Sequence, residues 1–171
     1  MIGSLVQRQV ASKDQLLRLV YVSQGLNQDT FNGDFEYLQQ KDLVTAVDLL
    51  GRAFYMPTGK AGMAIGRSIN TPRTPYKMAL RAFLSELAAQ TAAAGGEWIE
   101  QARKQLKLNC GREVSAFRNE NGLRLVVPDP TFERARELAR LGGLLILAHQ
   151  RLDSLRWELE NTVVIRATEL L

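Results

Sequence analysis

The sequence has 171 residues and a mass of 19.1 kDa, 46% of it apolar and 23% charged, which excludes a disordered tail and fits one domain with its own core. Its longest apolar run, Leu144 to Ala148, is far below the roughly 20 residues of a membrane-spanning helix. The opening Met1-Ile2-Gly3-Ser4 lacks the basic patch of a secretory signal, and the lone Cys110 rules out an internal disulfide or a Cys-based zinc cluster. The expectation is a single cytoplasmic domain, 1–171, carrying a net charge of +4.

Helical periodicity dominates the pattern. Ser12 and Gln15 have the spacing of a capping box, and Leu16, Leu19, Val20 and Ser23 come next on one face, so a helix is predicted over about 13–25. Gly25 and Asn27 close it, and 27–33 reads as a polar loop. A second helix is predicted over about 34–55, with Leu43, Val44, Val47, Leu50 and Phe54 inward and Asp42 as a cap within it. Residues 56–75 hold Pro57, Gly59, Gly62, Gly66, Pro72 and Pro75 and read as a long loop with a short helix over 61–69. Thr74-Pro75 then gives an N-cap with proline at the first helical position, opening an Ala-rich helix over 76–94 that Gly95-Gly96 ends. Trp98, Ile99, Ala102 and Leu106 predict another helix over 97–108.

Alternation around Asn119-Glu120-Asn121-Gly122 predicts a β-hairpin over about 113–127. Asp129-Pro130 reads as the next N-cap and first helical position. Beyond it, Leu138, Leu141, Leu145, Ala148, Leu152, Leu155 and Leu159 keep a 3-4 spacing. This predicts Leu-rich C-terminal helices packed on a neighbour, one helix or two broken near 150 or 160. The fold class expected is mainly α, a helical bundle with one short β-hairpin.

No motif names a reaction, and the chain is read as not an enzyme. His149 is the only histidine, and its expected role is a buried or half-buried side chain bonded to Asp153. An Arg…His ribonuclease pattern would need closer spacing than Arg140 and His149 have. The carboxylate pairs Glu133/Glu137 and Glu97/Glu100 lie among basic residues at helical spacing, as on a solvated, ion-paired face. Cys110 stands beside Arg112, where a lowered thiol pKa is conceivable, although a small filler is the plainer role. No metal, cofactor or catalytic residue is expected.

Charge is unevenly placed. Residues 49–85 carry Arg52, Lys60, Arg67, Arg73, Lys77 and Arg81 and no acid, where the chain's average density would place about four. Within this span Thr58-Gly59-Lys60-Ala61-Gly62 and Gly66-Arg67-Ser68 have the glycine and cation content of phosphate loops without the spacing of a P-loop or a dinucleotide loop. Arg73, Lys77 and Arg81 keep an i, i+4, i+8 spacing, and Phe54, Tyr55, Tyr76 and Phe83 lie nearby. Arg103, Lys104 and Lys107 are candidates to extend the patch. A cationic strip with aromatic rings is how proteins hold single strands without reading sequence. The predicted nucleic-acid-binding residues are therefore Arg52, Lys60, Arg67, Arg73, Lys77 and Arg81, with single-stranded DNA or RNA as partner.

The stretch from Leu43 to Leu87, with Gly59-Lys60, Gly66-Arg67 and Arg73 to Arg81, together with the Leu-rich C-terminal region, resembles the small subunits of CRISPR effector complexes. In type I-D systems the equivalent is the helical C-terminal part of the large subunit. The resemblance implies antiviral defence, no catalysis of its own, and copies that stack along a ribonucleoprotein complex. These would touch guide RNA or displaced DNA through backbone phosphates at Lys60, Arg67, Arg73, Lys77 and Arg81. It also implies other subunits as partners and self-association, for which the C-terminal helices are the expected contact. The alternative from the sequence is a helical protein–protein scaffold or regulatory subunit without nucleic-acid contact.

Overall fold

A computed structural model of the chain describes residues 1–21, 25, 27–111 and 113–171. Ser23 and Arg112 lie outside the described residues. The chain divides into two compact units, Met1–Ala93 and Ala94–Leu171.

The first unit opens with α1 (Ile2–Arg8) and α2 (Lys13–Leu16), which a π-helical turn over Leu17–Tyr21 prolongs. The capping box at α2 forms as the spacing requires: Gln15 N–H donates to Ser12 Oγ at 3.1 Å, and Ser12 N–H donates to Gln15 Oε1 at 2.9 Å. Asn27 does not begin a loop. Its side chain accepts the Thr30 N–H at 2.9 Å and so caps α3 (Gln28–Gln40). The helix expected over 34–55 therefore starts and ends earlier.

After α3 the chain forms a hairpin, β1 (Val44–Leu49) and β2 (Arg52–Pro57), paired antiparallel from Val44↔Pro57 to Leu49↔Arg52. Leu50 and Gly51 at its turn both have positive φ, 58° and 72°, as a two-residue type I′ turn demands. Asp42 caps no helix; it stands in the turn before β1 with φ 53°. Ala11 adds a third strand position, exchanging both backbone hydrogen bonds with Tyr55 at 2.9 and 3.1 Å. The core gathers Leu5, Leu16, Val20, Tyr21, Phe31, Phe35, Leu38 and Val44. Its aromatic line runs Tyr21–Phe31–Phe35–Tyr55, with ring centroids 4.7–5.7 Å apart.

The short α4 (Gly59–Ala64) and the long α5 (Pro75–Ala93) complete the unit. Thr74 Oγ1 accepts the Lys77 N–H at 3.3 Å and Pro75 is the first helical residue, so this start is the one read from sequence. Every residue of α5 from Ala82 to Ala89 is buried. Two of these are polar and matched: Ser85 Oγ donates to the Val10 carbonyl at 2.6 Å, and the Glu86 carboxylate receives both arms of the Arg18 guanidinium at 2.8 and 3.0 Å. Gln15 and Gln90 add bonds to Glu86 at 3.0 and 3.1 Å.

The second unit is a five-stranded mixed sheet, β3 (Glu97–Ile99), β4 (Ser115–Asn119), β5 (Gly122–Pro128), β6 (Gly143–Ala148) and β7 (Thr162–Arg166), ordered as numbered. This overturns the mainly α bundle with a single hairpin. The predicted hairpin is there as β4–β5, but β3 pairs antiparallel with β4, and β6 and β7 continue the sheet in parallel. The helix expected over 97–108 is β3 and then the four-residue α6 (Ala102–Gln105).

The Leu-rich C-terminal helices are absent. Helix α7 (Phe132–Ala139) ends before Gly142, whose φ of 147° lets the chain turn into β6, and a 3-10 helix over Leu152–Arg156 links β6 to β7. Residues Leu144 to Ala148 are all buried because a central parallel strand is covered on both faces and shows no alternation. Its leucines matched a helical repeat by coincidence. One face of the sheet packs Leu125, Val127, Leu144 and Ile146 against Ala135 and Leu138 of α7.

Asp129, expected to cap α7, has φ 42° and caps another loop. Its carboxylate accepts the N–H groups of His149, Gln150 and Arg151 at 2.8–3.1 Å, while the Thr131 side chain caps α7 through the Arg134 N–H.

Candidate nucleic-acid interface

The basic span begins on the first unit's hairpin. Arg52 is the first residue of β2, exposed at the turn. A strand rises about 3.3 Å per residue, so Arg52 stands about 20 Å from Thr58 at the other end. Arg52 is therefore apart from the cations beyond β2.

Those cations ride on a loop that is anchored at several points. Thr58 is tied to the start of β1: its N–H donates to the Leu43 carbonyl at 3.0 Å and its hydroxyl to the Asp42 carbonyl at 2.7 Å. From Thr58 the chain enters α4 and turns back over Gly62, whose carbonyl accepts the N–H groups of Ile65 at 3.2 Å and Arg67 at 2.9 Å. A Cβ at Gly62 would lie 2.5 Å from the Arg67 carbonyl oxygen and 2.7 Å from Ile69 Cγ1. No other residue fits without moving this return. Ile69 is half-buried and Pro72 buried, so the chain stays docked as far as the start of α5. This is a preformed presentation of Arg67 and Arg73, of the kind that lowers the ordering cost of binding.

Lys60 is held in an exposed ion pair. Its Nζ meets Asp42 Oδ2 at 2.9 Å, and both side chains are exposed. Arg67, Arg73 and Lys77 are exposed and have no ion-pair partner among the described residues, and the same is true of Arg52. Lys77 and Arg81 share a face of α5, one turn apart. Arg81 is half-buried and engaged within the protein. The six predicted residues thus divide: Arg67, Arg73 and Lys77 form a run of available cations around the entry to α5, Arg52 is separate, and Lys60 and Arg81 are already occupied. Arg103, Lys104 and Lys107 belong to the second unit.

The aromatic half of the expectation fares worse. Phe54 and Phe83 are buried, and the Tyr55 ring packs edge-on against Phe35 at 4.7 Å. Sequence proximity brought these rings into the candidate site; core packing takes them out.

Charge on α3, in the same unit, is of the opposite sign. It carries Asp29, Asp34 and Glu36, all exposed, and no basic residue. Asp34 accepts a hydrogen bond from the Tyr21 hydroxyl, whose pKa burial and this bond push up to about 12. Helix, Ala11 bridge, helix, α3 and hairpin succeed one another in the order of a helix-turn-helix with a trailing hairpin, in which the second helix of the motif enters the DNA major groove. With three acids and no base, α3 would meet duplex phosphates with repulsion.

The other residues singled out for chemistry lie in the second unit. His149 is half-buried, its N–H held by Asp129. The Cys110 thiol is buried and its pKa is raised by that burial, against the lowering considered from sequence. Among the described residues no group of three or more His, Cys, Asp or Glu side chains is placed to hold a metal ion, and no helix is long and apolar enough to cross a membrane. No family model matches the sequence, and neither a curated protein nor a solved structure is significantly similar to it.

Proposed function

We propose that this chain is a non-catalytic, cytoplasmic nucleic-acid-binding subunit that grips the backbone of a single strand through Arg67, Arg73 and Lys77, with Arg52 as an outlying contact. The observation that carries the reading is the loop from Gly62 to Pro75 and the first turn of α5: Arg67 and Arg73 on the loop and Lys77 on the helix are exposed cations without acidic partners, on a backbone tied down at Thr58, Gly62, Ile69 and Pro72. Point charges on a fixed loop supply sequence-independent attraction to phosphate. Single strand is favoured over duplex because the acidic α3 opposes the broad, two-stranded phosphate surface. With Phe54, Tyr55 and Phe83 packed inside and Tyr76 half-buried, affinity rests on charge more than on stacking and is correspondingly weak. Such contacts suit a component of a larger nucleoprotein complex, the setting that the CRISPR small-subunit resemblance names, where several weak grips add along one strand.

The test is the salt dependence of binding to a labelled single-stranded oligonucleotide. Four phosphate contacts give a log–log slope of roughly −2.8, at about 0.7 per contact. Replacing Arg67, Arg73 and Lys77 together by alanine is expected to flatten that slope by about 2, while Lys60→Ala changes it little because Lys60 is spent on Asp42. An unchanged slope in the triple variant, or duplex bound more tightly than single strand, overturns the proposal.

A further inference from the structure

Outside the basic span, the first unit's polar clusters are internally matched; the second unit holds one that is not. At the β4–β5 turn a groove of about 470 Å³ opens, within the range of small-molecule sites. It is lined by Phe117, Asn119, Asn121, Arg124, Gly143 and Asn161, among others, and by no acidic side chain.

Strand register explains how these residues meet. Phe117 of β4 stands opposite Arg124 of β5, which stands opposite Gly143 of β6. Cross-strand partners share a face, so a ring, a guanidinium and an empty position lie side by side across three strands. A Cβ added at Gly143 would be 3.5 Å from Arg124 Nε; the arginine lies along the space that the glycine leaves. Arg124 is half-buried, yet no hydrogen-bond or ion-pair partner holds its guanidinium among the described residues. Two other arginines of this unit are ion-paired, Arg118 with Glu97 at 2.9 Å and Arg134 with Glu113 and Glu137 at 3.7 and 3.0 Å.

We infer that this groove binds a nucleotide, its phosphate on Arg124, its base against Phe117, and its polar edge on the asparagine amides. Each part of the ligand answers a feature present. A guanidinium with an open fork takes two oxygens of a phosphate. A half-buried aromatic ring at a groove wall gives a stacking surface that every base fits. The amides of Asn121 and Asn161 each offer a donor and an acceptor; Asn119 Oδ1 is used at 3.0 Å by the Asn121 N–H, which fixes the rim. A free mononucleotide and an unpaired nucleotide of a strand share this chemistry. The site lies in the other unit from the Arg67 loop and does not depend on it.

Calorimetric titration of the full chain with AMP, UMP, inorganic phosphate and a 5′-phosphorylated dinucleotide tests the inference. Trp98, the register partner of Phe117, serves as a fluorescence reporter. Mononucleotides are expected to bind more tightly than phosphate; Arg124→Gln weakens them about tenfold, and Phe117→Leu lowers their affinity toward that of phosphate alone. A dinucleotide that binds more tightly than AMP marks a strand as the source, and equal binding marks the free nucleotide. Should Arg124→Gln melt at a lower temperature than the parent, Asn161→Ala, on an exposed turn, carries the comparison. Phosphate bound as well as AMP, no AMP binding up to about 10 mM, or binding untouched in the folded variants overturns it. Oligonucleotide binding through Arg67, Arg73 and Lys77 is read separately, so either site can fail alone.

Discussion

The two units handle charge in opposite ways. In the second, acids and bases balance and interleave, and ion pairs such as Arg118–Glu97 and Arg134–Glu137 join them. In the first, six of the seven acids precede residue 49, and residues 49–85 hold six bases and no acid. Two of these acids, together with Glu86, neutralise chosen cations: Asp42 holds Lys60, and Asp14 and Glu86 hold Arg18. Of the cations in the acid-free span, Arg67, Arg73 and Lys77 are left over and form the candidate site. Net charge alone hides this, since +4 spread evenly would carry no functional information; segregation with selective pairing does.

The contrast can be attacked at three strengths. The largest effect is expected in the first unit from Glu86→Ala, which takes the bidentate partner from the half-buried Arg18 guanidinium, leaving it Asp14, removes an acceptor of the buried Gln15 amide, and costs about 2 to 3 kcal/mol by chemical denaturation. The same carboxylate sets a pH dependence. Burial pushes its pKa up, but hydrogen bonds from Arg18, Gln15 and Gln90 outweigh that and leave it lowered. Its stabilisation is therefore complete above the ordinary carboxylate pKa of about 4.3 and lost as pH falls through the lower folded value. The acid limb of a stability–pH curve should be shallower in Glu86→Gln; an identical limb breaks this account.

In the second unit Asp129→Ala removes the acceptor of three consecutive N–H groups and is expected to cost about 2 kcal/mol. Amide exchange should rise at His149, Gln150 and Arg151 before it rises elsewhere. The smallest effect sharpens the charge comparison itself. Asp42→Asn releases Lys60, so single-strand affinity at low salt should rise a few-fold and the slope steepen by about 0.7. Stability should change by less than about 1 kcal/mol, as for an exposed pair. Unaltered binding would mean that Lys60 does not face the ligand.

Local signals were legible at several places where a side chain bonds to nearby backbone, but not at Asn27, read as a loop, or at Thr131, whose cap was assigned to Asp129. Ser12 and Gln15, Thr74 with Pro75, and the Asn-Gly turn of β4–β5 act over a few residues, and each forms as expected. The sheet was not legible. Val44, Val47 and Phe54 have helical spacing but occupy two strands, and the β6 leucines lack alternation because both faces are covered. Only pairing with distant segments decides such cases. The candidate site was readable as far as composition goes: Arg67, Arg73 and Lys77 needed only an absence of acids. That Lys60 is held by Asp42, 18 residues away, and that Tyr55 is packed inward required the fold.

The position of β6 between β5 and β7 constrains how the second unit is made. Synthesis releases the most apolar strand before the one that closes its far edge. Until Thr162–Arg166 arrives, the backbone donors and acceptors along that edge have no sheet partner, and Leu145 and Leu147 lack their flanking Val163 and Ile165. The nascent chain thus passes through an interval in which its stickiest ribbon is half-sheathed, and shielding during that interval falls to the ribosome exit or to chaperones.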